Sequence, residues 1–118
     1  MSSQNTESPF GRLITAMVTP FDSNGDVDHK QVRTVAKHLI DTGTTSIVVT
    51  GTTGEGPSLS EEEKLNLYTT VLESIDGSGK VIAGTTTYNT KESIALSVRA
   101  EDIGVDGILM TVPYYNKP

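Results

Sequence analysis

Ser46-Ile47-Val48-Val49-Thr50-Gly51-Thr52-Thr53-Gly54-Glu55 decides how this chain is read. An apolar, β-branched run passes directly into a loop of glycines and hydroxyls, and a helical pattern opens close behind it, near Ser60. A strand ending this way offers bare backbone N–H groups and two Oγ atoms at one point. An α/β protein holds a small carboxylate or phosphate in that manner. An ordinary strand-to-helix turn uses the same residue types, so G-x-x-G taken alone leaves both readings open.

The flanks repeat the pattern. Upstream, Leu13 to Thr19 reads as a buried strand stopped by Pro20, and Asp22-Ser23-Asn24-Gly25-Asp26 as a turn. A helix is expected from Asp28 to Asp41, with Val32, Val35, Ala36, Leu39 and Ile40 on one face and Thr42-Gly43 closing it. Downstream, Ser60 and Glu63 make a capping box, and Glu61, Glu62 and Glu63 suit the positive end of a helix. Leu65, Tyr68, Val71, Leu72 and Ile75 form its apolar stripe, broken at Asp76-Gly77-Ser78-Gly79. Lys80 to Gly84 is a third strand, followed by Thr85-Thr86-Thr87-Tyr88-Asn89. Thr90 is expected to cap a third helix with Ile94, Ala95, Val98 and Ile103 inward, and Gly107 to Thr111 is a fourth strand.

The order β-α-β-α-β-α-β, with a unit about every 30 residues, demands parallel strands and right-handed crossovers. An open doubly wound sheet and one half of a closed (β/α)8 TIM barrel both satisfy it. Candidate functional residues follow four different strands (Thr19, Thr52, Thr85 and Tyr115), which favours the barrel over a single switch point. Residues 1–11 read as a polar, flexible tail without the basic start or apolar stretch of a signal peptide. Residues 12–118 read as the N-terminal half of the barrel.

Bulk properties bound the function. The chain has 118 residues, a formal charge of -6 and 35% hydrophobic residues, with no run long enough to span a membrane. Excess negative charge argues against nucleic acid and anionic membranes as partners. There is no Cys, so disulfides and thiolate metal sites are excluded, and a cytoplasmic location is expected. His29 and His38 stand nine residues apart, which is not ligand spacing. They are expected to face solvent or cap the helix, and no metal or cofactor motif appears.

A second marker stands at the corresponding point of the fourth unit: Val112-Pro113-Tyr114-Tyr115-Asn116-Lys117-Pro118. Paired aromatics at a strand end can simply cover a barrel mouth. Together with Gly-Thr-Thr-Gly-Glu, however, this wording resembles the dihydrodipicolinate synthase / N-acetylneuraminate lyase family of class I aldolases, from about Arg12 to Pro118. The resemblance implies a lyase without cofactor that condenses pyruvate, held as a Schiff base on a lysine, with aspartate semialdehyde in lysine and diaminopimelate biosynthesis. It implies that Thr53 holds the pyruvate carboxylate and that Thr52 passes protons between two tyrosines, one of them Tyr115 reaching across a tight dimer interface. A dimer of dimers is implied, with Tyr114, Tyr88 and Glu92 near a cleft where some relatives bind lysine as inhibitor. Glu61 and Lys64 replace histidines found in lysine-sensitive members, so inhibition is not expected.

The resemblance places the Schiff-base lysine after a sixth strand, and a second tyrosine and an arginine after a fifth, outside these four units. Lys30, Lys37, Lys64 and Lys91 are expected on solvated helix faces, Lys80 is at the wrong strand end, and Lys117 is not the family's nucleophile. Alone, residues 1–118 are expected to be inactive. Two rival readings are another pyruvate-dependent aldolase of the superfamily, acting on N-acetylneuraminate or a keto-deoxy-sugar acid, and a non-catalytic half-barrel module. The Thr-Thr pair and Tyr-Tyr-Asn-Lys-Pro tell against the first. The missing lysine gives the second its weight.

Overall fold

The structure, a computed structural model, describes residues 13–49, 59–85 and 90–110. Within them, β1 (Ile14–Met17), β2 (Ser46–Val49), β3 (Lys80–Gly84) and β4 (Gly107–Leu109) alternate with α1 (His29–Asp41), α2 (Glu61–Ile75) and α3 (Thr90–Ile103). The strands lie in the order β1-β2-β3-β4, every pairing parallel. Ala16, Val48, Ile82 and Gly107 stand side by side across the sheet. Right-handed crossovers between sequential neighbours deliver each helix to the same face. The main core accordingly joins α1, α2 and α3 to one side of the sheet, through Met17, Ile47, Val49, Val81 and Ala83.

Local chemistry starts and stops α1 and α2 where the sequence indicates, whereas Thr90, expected to cap α3, is its first helical residue. Asp28 caps α1 by accepting from the Gln31 N–H at 3.1 Å. Both arms of the α2 capping box are made: Glu63 N–H to Ser60 Oγ at 3.1 Å and Ser60 N–H to Glu63 Oε1 at 2.8 Å. Asp76, in the left-handed region at φ 42°, ends α2, and its N–H returns to the Leu72 carbonyl. At Gly79 the chain passes close to its neighbours, since a Cβ there would stand 2.6 Å from Ile40 Cδ1 and 3.1 Å from the Thr45 carbonyl oxygen and would push the Ile40 side chain aside.

Three expectations are corrected. β1 is shorter than Leu13 to Thr19, because Thr45 takes over the backbone of Leu13: its Oγ1 accepts from the Leu13 N–H at 3.0 Å and donates to the Leu13 carbonyl at 2.9 Å. On α3 the inward residues are Ser93, Leu96 and Ala100, with Ile103 packed beside them, whereas Ile94 and Val98 are 51% and 54% exposed and Ala95 is exposed too. Residues 94, 95 and 98 and residues 93, 96, 100 and 103 both have helical spacing. The packing of α3 on α2 and β4 selects the second set. Finally, Lys64 is buried at 7% exposure, not solvated like Lys30, Lys37 and Lys91.

The sheet face away from the helices carries Ile14, Ala16, Val18, Val48, Ile82 and Leu109, of which Ile14, Val18 and Leu109 are half-exposed or more. Ile108, between Gly107 and Leu109, packs into the helix-side core instead. Among the described residues, no element covers this apolar face or pairs with the outer edges of β1 and β4, an arrangement that favours association. Residues 1–118 on their own are therefore expected to scatter light at micromolar concentration as a species heavier than the 12.6 kDa chain. A compact, soluble 12.6 kDa monomer would count against this face being a buried surface.

Candidate active site

Parallel strands in register bring their C-terminal ends to one edge of the sheet. Met17, Val49, Gly84 and Leu109 close the four strands there. From this edge depart the segments that carry every residue expected to do chemistry. Thr52, Thr53, Tyr88, Tyr114 and Tyr115 themselves lie outside the described residues. Among described residues, Thr19 and Thr85 stand just beyond β1 and β3 and are buried at 4% and 0% exposure.

Thr85 is at the expected end, but its hydroxyl turns toward the helices. Its Oγ1 lies 2.7 Å from Ser97 Oγ on α3. Side chains alternate along a strand, so the residue two beyond core-facing Ala83 shares its face. Thr85 thus supports the mouth from outside, and its N–H holds the Leu109 carbonyl at 3.0 Å. One residue earlier, the Gly84 carbonyl accepts from the Tyr68 phenol at 2.6 Å. Sequence reading placed Tyr68 in the apolar stripe of α2, which is correct, but gave no use for its hydroxyl.

Burial pushes the Tyr68 phenol well above its ordinary value of 10.0. The folded chain then keeps a proton that the unfolded chain releases, so this contribution to stability is intact below about pH 10 and is lost as pH rises beyond it. Denaturant melts at about pH 9 and about pH 11 are expected to show a loss that is smaller in Tyr68→Phe. Equal losses in the two proteins would remove Tyr68 as its source.

Near the start of α2 stands a charged group of four residues. Arg99 on α3 pairs with Glu61, both about half-exposed, a contact that ties α2 to α3 at little energetic gain. Desolvation holds the Lys64 ammonium below the usual lysine range, offset in part by the carboxylates of Glu92 and then Glu61. Elsewhere, His29 is neither a cap nor free in solvent. Its Nδ1 is 2.7 Å from Thr70 Oγ1, whose own proton goes to the Asn66 carbonyl at 2.9 Å, so the imidazole N–H donates and fastens α1 to α2.

Four sequential parallel strands joined by three helices, with the helix layer on one side of the sheet, define the first part of a (β/α)8 barrel. The model of the dihydrodipicolinate synthetase family matches residues 9–118, and the chain belongs to that family. It is 52% identical over 109 residues to the 4-hydroxy-tetrahydrodipicolinate synthase of Desulforudis audaxviator (strain MP104C), covering 92% of this chain and 37% of that protein. Among solved structures it resembles a dihydrodipicolinate synthase from Bacillus anthracis, at 49% identity and TM-score 0.81, with 92% of this chain and 37% of that one covered. It also resembles the enzyme of Cyanidioschyzon merolae with lysine bound, at 42% identity and TM-score 0.82, with the same coverage. The chain therefore spans little more than a third of the length of such relatives.

Proposed function

We propose that this chain supplies the N-terminal half of the active site of a lyase that condenses pyruvate with aspartate semialdehyde to 4-hydroxy-tetrahydrodipicolinate, a step of lysine and diaminopimelate biosynthesis in the cytoplasm. The observation that supports this best is the convergence, at one edge of the sheet, of the strand ends that lead into Gly-Thr-Thr-Gly-Glu and Tyr-Tyr-Asn-Lys-Pro. Identity near one half to curated enzymes of that name strengthens it.

In this reading a lysine amine beyond residue 118 attacks C2 of pyruvate, water leaves, and loss of a methyl proton gives the enamine that attacks the aldehyde. Thr53 binds the pyruvate carboxylate through its hydroxyl and N–H. Thr52, a hydroxyl that donates and accepts at once, relays protons with Tyr115. Tyr115 comes from the neighbouring subunit of a tight dimer, and two such dimers form a tetramer. Tyr88, Glu92 and Tyr114 border the cleft between subunits. With Glu61 engaged by Arg99 and Lys64 buried beside Glu92, that cleft is already supplied with cations, and we propose that free lysine does not inhibit.

Borohydride reduction in the presence of pyruvate tests the reading. The full-length protein carrying residues 1–118 is expected to gain mass irreversibly, while residues 1–118 alone do not. No adduct on the full-length protein would overturn the aldolase assignment and favour a non-catalytic module.

A further inference from the structure

Two helices each send a hydroxyl onto consecutive residues at the end of β3. Tyr68 is fully buried on α2, and its phenol donates to the Gly84 carbonyl at 2.6 Å. Ser97 on α3 has one proton, which the Ser93 carbonyl takes at 2.8 Å in preference to the Met110 sulfur at 3.9 Å. Thr85, fully buried, must then donate to Ser97 across 2.7 Å. The Thr85 N–H in turn holds the Leu109 carbonyl at the end of β4. Packing alone does not require these hydroxyls, since phenylalanine would fill the volume of Tyr68. A buried phenol is costly unless it is bonded, so its one bond directs it at Gly84.

What the two hydroxyls hold is the pair of strand ends from which residues 86–89 and 111–118 depart. We propose that Tyr68 and Ser97 are positioning residues for the catalytic mouth, setting the ends of β3 and β4 so that Tyr115, beyond β4, takes its place in the proton relay. This rests on the aldolase reading above. Neither residue touches substrate. They act through Gly84, Thr85 and Leu109, where small displacements weigh heavily on a proton relay.

The test is steady-state kinetics of the full-length protein carrying this chain, with pyruvate trapping alongside. Tyr68→Phe and Ser97→Ala are each expected to lower kcat about tenfold, the scale of losing an indirect support. KM for pyruvate and trapping by borohydride should stay within about twofold, because the relay and not pyruvate binding is displaced. Ser97→Thr, which keeps the hydroxyl, should restore kcat. Thr85→Val combined with Ser97→Ala should be no slower than either alone, since both break one bond. A variant that is folded by circular dichroism yet keeps wild-type kcat would overturn the role of its residue. So would equal losses in kcat and in pyruvate trapping, which indicate general damage. If Tyr68→Phe fails to fold, the Ser97 and Thr85 variants decide the matter alone. Wild-type protein that traps no pyruvate would instead sink the aldolase reading, and this assignment with it.

Discussion

Thr52→Val in the complete enzyme is expected to lower turnover by a factor of about 10² or more, the range for losing general acid–base help. Valine keeps the shape of threonine and removes only the hydroxyl that the proposed mechanism uses to give and take a proton. Under the proposed aldolase reading, pyruvate should still be trapped by borohydride, because that reading puts the nucleophilic lysine elsewhere and the carboxylate on Thr53. Thr52→Ser should recover most of the rate. Stopped-flow and steady-state assays with both substrates give the two halves of this result separately. Turnover near wild type in Thr52→Val would show that the hydroxyl serves only the turn, and the relay would have to be drawn without it.

Leu67→Ala is expected to destabilise the fold by about 2–5 kcal/mol, the cost of a buried leucine plus the cavity it leaves. Leu67, on α2, is fully buried in the main core. That loss is a large share of the total stability of an ordinary domain, of order 5–15 kcal/mol. Ile94→Ala on α3 removes a comparable apolar side chain, yet Ile94 is 51% exposed, and a change within about 0.5 kcal/mol is expected. Urea melts of the two variants beside wild type make the comparison. Equal losses would mean that the outer stripe of α3 is covered in solution, and the assignment of its inward face would need revision.

The different fates of Leu67 and Ile94 mark what a linear pattern can and cannot convey. Element order, the capping box of Ser60 and Glu63, the Asp28 cap and the break at Asp76 were legible because each is made within a few residues of chain. Parallel pairing followed as well, since crossovers of this length permit little else. On α3, two sets of residues at helical spacing were present, and only packing against α2 and β4 decided that Leu96 and Ala100 go inward. Lys64 read as a solvated cation because charge alone says nothing of the helix face it occupies, and packing placed it at 7% exposure.

The candidate site divides the same way. The order of its residues along the chain, and therefore the edge of the sheet from which their loops leave, was set by sequence, because parallel strands share one direction. The supports beneath that edge were not. Tyr68 with Gly84 and Thr85 with Ser97 join residues 16 and 12 positions apart, and His29 with Thr70, between α1 and α2, joins residues 41 apart. A hydroxyl in an amphipathic stripe looks the same in sequence whether it meets water or a buried carbonyl. Its partner is chosen by strand register and helix rotation, which exist only once the sheet and its helices have packed.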